Sequence, residues 1–173
     1  MAGRAQLDTQ PRPIRLGGAP WSRAREALAS DTPGVDVTSF LSTVRPDGRP
    51  HSAGVGAVWV NGTLHFTSGP STLKSRNMAA NLACSISVRL RGVDVVLEGE
   101  AQRVTGAPTL EQLVAVYRAG GWPASAEGDA LTAPYSAPSA APPPWHLYRL
   151  RLSTAVGVAR TEPYGATRWD FAR

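Results

Sequence analysis

From Val37 onward most of the chain follows a period of two, whereas Trp21–Ser30, Ser71–Asn81 and Thr109–Ala119 place apolar residues at helical spacing. Val37–Val44, Pro50–Val60, Thr63–Thr67, Ala83–Leu90, Val93–Val104, Trp145–Ala159 and Ala166–Phe171 are therefore expected as strands. The punctuation agrees. Pro46-Asp47-Gly48 and Arg91-Gly92 are turn sequences, and Asn61-Gly62 between Trp59-Val60 and Leu64–Phe66 is a strong hairpin signal. The helical stretches carry Ala24, Ala27 and Leu28, then Leu73, Asn77, Met78 and Ala80, then Leu110, Leu113, Val114 and Tyr117.

Consecutive hairpins interrupted by short helices predict a mainly β fold: a small barrel of six to seven antiparallel strands with helices outside it. Alternating βαβ units are absent, and Gly54-Val55-Gly56 lies within a strand with no helix after it, so it is no dinucleotide fingerprint. Residues 1–19, with Pro11, Pro13, Gly17 and Gly18, are expected as an irregular arm, and 20–173 as one domain. Within it, 120–144 is a long Pro-, Gly- and Ala-rich loop of a length that is usually functional or disordered.

A chain of 173 residues with 42% hydrophobic content can bury one core. Its longest apolar run, Ala53–Val60, is far short of the ~20 residues of a membrane span, and no apolar segment accompanies Arg4, Arg12 and Arg15. A soluble, cytoplasmic protein without a membrane partner is expected. Cys84 is the only cysteine, and His51, His65 and His146 are scattered, so neither a disulfide framework nor a metal site is expected.

The net charge of +5 invites a nucleic-acid partner, but no basic stripe interleaves with aromatics and none is expected. The useful asymmetry is local. No acid occurs between Asp47 and Asp94, where Arg49, Lys74, Arg76, Arg89 and Arg91 lie, as an anion site would require. Lys74 is the sole lysine among seventeen arginines. It falls in Ser71-Thr72-Leu73-Lys74-Ser75-Arg76-Asn77, which opens a helix behind a strand and a Gly-Pro turn. Free N–H groups and the positive end of the helix dipole favour an anion there. Two cations in the first turns oppose that dipole unless a negative ligand is present, the alternative being a solvated helix face.

Three stretches carry a wider likeness: Phe40–His51, Val58–Val60 with Leu64–Gly69, and Thr72-x-Lys74-x-Arg76-Asn77-x-x-x-Asn81. In that order the chain resembles the pyridoxamine 5'-phosphate oxidase-like superfamily, and more narrowly its flavin/deazaflavin oxidoreductases, which include F420-dependent reductases. The likeness is strongest over 35–105 and reaches Glu162–Trp169. It implies an FMN-binding-like split β-barrel, a homodimer, and a cofactor groove completed by the partner subunit. By position it implies phosphate contacts from Lys74, Thr72, Asn77 and Arg76. The cofactor ring would lie along His51, Ser52 and Ala53, with Thr67 and Ser68 above it. Gly56 stands where a large aromatic is frequent, and Leu82 where a proline is. Ser52–Ala57 lacks the Arg and Lys that pyridoxamine-phosphate oxidases proper offer to FMN.

The acid-free cationic segment suits the polyanionic tail of F420, with FMN the alternative. The implied activity is hydride transfer to a conjugated small molecule; the same fold also permits a non-catalytic flavin-, F420- or haem-binding protein. Trp122, Tyr135, Trp145 and Trp169 are candidates to wall a substrate pocket, and Tyr135 is the candidate proton donor. Pinning the loop to the barrel is the plainer role for Trp145, and an exposed loop aromatic for Tyr135. His65, His146 and Cys84 are expected to be structural.

Overall fold

The computed structural model describes residues 12–16, 19–32, 38–135 and 140–171. In chain order the elements are β1 (Arg12–Leu16), α1 (Trp21–Asp31), β2 (Ser39–Val44), β3 (Pro50–Val55), β4 (Ala57–Val60), β5 (Thr63–Ser68) and α2 (Leu73–Ala80). They continue as β6 (Ala83–Leu90), β7 (Val93–Val104), α3 (Ala107–Ala119), β8 (Ser125–Glu127), β9 (Ala130–Thr132), β10 (His146–Ala159) and β11 (Gly165–Asp170).

Pro50–Val60, expected as one strand, is two. β3 pairs with β2 up to Val55, whereas β4 pairs with β5 from Ala57 onward. Gly56 between them joins neither ladder. A residue without a side chain at this point lets the chain bend from one neighbour to the next, the usual place for glycine at a barrel corner. That bend closes the ring: β2 pairs with β3, β4 with β5, β5 with β10, β10 with β7, β7 with β6, and β6 with β2, all antiparallel. Six strand positions therefore surround one core, in agreement with the expected split barrel. β10 is long enough to serve two neighbours along one edge, β5 through His146–Arg149 and β11 through Thr154–Ala159.

The expected irregular arm contains a strand. Arg12–Leu16 pair with β11 from Arg12↔Asp170 to Leu16↔Ala166. The open edge of β11 supplies unpaired backbone groups, and a proline is tolerated on an edge strand. Residues 1–11 and 17–18 lie outside the described residues, as does Val37 of the first expected strand.

Inside the ring Leu41, Leu64, Phe66, Ile86, Leu97 and Leu150 are fully buried, with Ala24 and Leu28 of α1 closing one end. The expected turn at Asn61-Gly62 is present, both residues at positive φ. A second core lies outside the ring, where Leu110, Leu113, Val114 and Tyr117 of α3 meet Val58, Leu147, Ala124 and Leu131. The long segment 120–144 thus differs from the expected loop: β8 and β9 form a hairpin, and Leu131 pairs with Trp145 across an isolated bridge. Alternation too short to read as a strand is stabilised there by packing on α3.

Candidate functional site

The site grows from the junction of β5 and α2. Thr72 caps the helix: its hydroxyl donates to the Gly69 carbonyl at 2.8 Å and accepts the Ser75 N–H at 3.3 Å. The Ser68 hydroxyl joins it, 3.1 Å from Thr72 Oγ1 and 2.7 Å from Ser75 Oγ. This closed hydroxyl network holds the helix start rigid and commits the Thr72 side chain to the cap. Among the described residues the N–H groups of Leu73 and Lys74 have no hydrogen-bond partner, as expected in a first turn, and they remain open to an anion.

Lys74 is the decisive residue. It is only 7% exposed, yet no described residue offers it a counter-charge or a hydrogen bond, and burial lowers its pKa. A mostly buried lysine side chain in the first turn of a helix is disfavoured by partial desolvation and by the dipole, and an anion beside its ammonium relieves both. Asn77, one turn on and 1% exposed, donates its amide to Thr43 Oγ1 at 2.9 Å, and its Oδ1 is enclosed without a partner. Thr43 in turn lies 3.4 Å from the His51 carbonyl. His51 Nδ1 and Arg45 Nε are likewise enclosed and unpartnered.

The structure therefore brings Ser68, Thr72, Lys74 and Asn77 together on α2 and β5, and links them through Thr43 to His51. Thr43 and Ser75 join the site without being candidates from the sequence pattern. For Ser75 a signal existed, its place three residues beyond a Thr N-cap. For Thr43, thirty-four residues from Asn77, none did. Arg76 is exposed, folds back onto the Ser71 carbonyl at 2.9 Å, and does not share the Lys74 face, because residues two apart on a helix diverge. Ser52 and Gly54 lie on the exposed side of β3, with Ser52 Oγ 2.7 Å from Ser42 Oγ, while Ala53 and Thr67 are half-buried.

The five-cation segment is dispersed rather than focused. Arg49 pairs with Asp47 at 2.7 Å and Arg89 with Asp94 at 3.2 Å, which leaves Lys74 as the buried cation of the group. The aromatic candidates also separate. Trp145 and Trp169 are buried at 3% and 2%, so neither offers a face to an open pocket. Trp145 packs edge-on to Trp122 at 5.4 Å, and Trp169 packs edge-on to Trp21 at 5.3 Å. Their large apolar area is satisfied by packing instead. Trp122 is half-buried against Tyr117, and Tyr135 is 59% exposed.

On the outer face of the sheet, Phe40, Val96, Val156 and Val158 line an open groove of about 310 Å³, with Phe40 51% and Val158 48% exposed. His65 is buried beside the second core, and desolvation pushes its pKa down to about 4; burial raises Cys84 to about 12. Both behave as structural residues. No helix among the described residues is long and apolar enough to cross a membrane, and none of their His, Cys, Asp and Glu side chains form a metal-ligating group.

The family model described as "Pyridoxamine 5'-phosphate oxidase" matches residues 36–152. No curated protein matches the chain by sequence. Among solved structures, a heme binding protein from Mycobacterium smegmatis is 16% identical, with a TM-score of 0.56 over 83% of this chain and 57% of its own. PhzG from Burkholderia lata 383 is 17% identical, with a TM-score of 0.53 over 78% and 76%. An F420 reductase is 22% identical, with a TM-score of 0.49 over 69% and 88%. At such identities the first two show a shared fold.

Proposed function

The chain belongs to the pyridoxamine 5'-phosphate oxidase family, and on that premise we propose that it is an oxidoreductase that holds F420, with FMN the alternative, by its phosphate at the start of α2. The observation that carries this is Lys74, a mostly buried side chain at a helix N-terminus whose ammonium has no partner among the described residues. Residues fit for such a group are present: the Lys74 ammonium and the Leu73 and Lys74 N–H groups for a phosphate. The exposed face of β3 at Ser52 and Gly54, with a small side chain and none, leaves room for a planar ring. Bound there, a flavin or deazaflavin supplies the hydride chemistry, and a conjugated C=C or C=O of a small organic molecule is the acceptor we assign. The protein's part is to grip the anion, orient the ring and exclude water.

The dispersal of the arginines weakens the case for a long polyanionic tail, so FMN stands nearer to F420 than charge counting alone implies. We further assign a homodimer, with the second copy covering the apolar outer face around Phe40 and Val158, and a cytoplasmic setting. The test is titration of the purified protein with F420, FMN and haemin, followed by absorbance and fluorescence, then turnover of the reduced complex with an enone. Binding of F420 or FMN with turnover supports the reading. Binding without turnover favours a carrier or sensor, and binding of haemin alone overturns it.

A further inference from the structure

Three aromatics, the buried Tyr117 and Trp145 and the half-buried Trp122, form a row at the two ends of the segment 120–144. Tyr117 at the end of α3 reaches the barrel break directly, its hydroxyl donating to the Gly56 carbonyl at 3.2 Å. Its ring stands edge-on to Trp122 at 5.0 Å, and Trp122 stands edge-on to Trp145 at 5.4 Å. The Trp145 indole N–H is shared between the carbonyls of Ala140, at 3.1 Å, and Ala141, at 3.2 Å. Ala141 has a φ of 62°, a left-handed conformation that a residue with a Cβ keeps only where its surroundings hold it.

The far end of this row touches the α2 cap. A Cβ on Gly69 would lie 2.9 Å from the Ala140 carbonyl oxygen and 3.5 Å from Thr72 Cγ2, so the 140–141 backbone rests on Gly69. The Gly69 carbonyl is the group that receives the Thr72 N–H and the Thr72 hydroxyl. A continuous line of contacts thus joins Gly56, at the end of the strand assigned to the ring, to Thr72, at the end assigned to the phosphate.

We propose that Tyr117, Trp122 and Trp145 form a positioning strut that sets the distance between the two ends of the cofactor site, so that the long segment is a brace and not a lid. The proposal rests on the functional reading above for its ligand and on the contacts alone for its mechanics. Two conservative variants separate the ends. Trp145→Phe keeps a smaller aromatic ring but removes the indole donor to the Ala140 and Ala141 carbonyls; Tyr117→Phe keeps the edge-on packing but frees the Gly56 carbonyl.

Titrated with FMN, riboflavin and inorganic phosphate, Trp145→Phe is expected to weaken FMN and phosphate about threefold to tenfold, the worth of one neutral hydrogen bond, and to leave riboflavin unchanged. Tyr117→Phe is expected to weaken riboflavin and FMN and to leave phosphate unchanged. Amide hydrogen exchange on ligand-free protein reads the mechanics separately: faster exchange at Thr72 in Trp145→Phe, and at Ala57 and Val58 in Tyr117→Phe. A uniform loss across all three ligands in both variants overturns the strut, as does unchanged local exchange. If the wild-type protein binds neither FMN nor F420, the functional reading fails while the exchange data still decide the strut.

Discussion

Replacing Lys74 by Met tests the site from two directions with opposite expected signs. The methionine keeps an unbranched apolar stem of similar length, so the packing of α2 on β2 and β3 is preserved while the ammonium is lost. In ligand-free protein the change removes a cation that opposes the helix dipole, a term of about 0.3–1 kcal/mol. For a domain of this size that raises the melting temperature by about 1–4 °C, and relief of desolvation adds to it. In the complex the change removes a charge-assisted contact of about 1.5–3 kcal/mol, so the affinity for FMN or F420 falls by about tenfold to a hundredfold.

The pH dependence has a definite sign. Burial lowers the Lys74 pKa below 10.5 in the folded chain, so in the alkaline window below 10.5 the unfolded chain binds the extra proton. Wild-type stability relative to Lys74→Met therefore rises with pH across that window. Calorimetry at pH 7 and pH 10, with fluorescence titration at two salt concentrations, makes the comparison. A variant that melts several degrees lower, or that binds both cofactors as tightly as wild type, refutes the reasoning.

His65, whose folded pKa is lowered to about 4, stays neutral while the unfolded chain protonates near 6.5; stability should fall by about 3 kcal/mol as pH drops from 6.5 to 4. His65→Leu should flatten that slope in urea melts, and an unaltered slope would place the acid sensitivity elsewhere. Gly157→Ala sets a Cβ 2.6 Å from the Trp169 ring and should cost about 1–3 kcal/mol in denaturant unfolding; a neutral result would mean the ring can shift freely. Deleting Ala124–Ala133 removes the buried Ala124 and Leu131 from the second core. It should lower the melting temperature sharply, where a lid would leave it unchanged. Phe40→Asp should halve the mass in light scattering if the outer sheet face joins two copies; an 18.3 kDa wild-type particle would remove that assignment.

Much of this molecule was legible without coordinates, because local chemistry dictates it. Ala83–Leu90 and Val93–Val104 are strands whose ends match expectation residue for residue, since a period near two, β-branched content and an Arg91-Gly92 turn leave few other solutions. A helix opening within Ser71–Asn77, with Lys74 in its first turn, is visible for the same reason, and the structure sets its cap at Thr72. Other features depend on partners far away in the chain. Arg12–Leu16 becomes a strand only because β11 has an open edge. Pro50–Val60 divides only because two different ladders claim its halves. The arginines of the acid-free segment look like one anion site in linear order, yet Asp47 and Asp94 at its borders neutralise two of them. Charge order along a chain says nothing about which side chains meet. The burial of Lys74, the orphaned Asn77 carbonyl and the seating of Trp145 over Ala140 and Ala141 likewise arise from tertiary packing. Such packing chooses neighbours by shape and by the need to satisfy buried polar groups, whatever their separation in sequence.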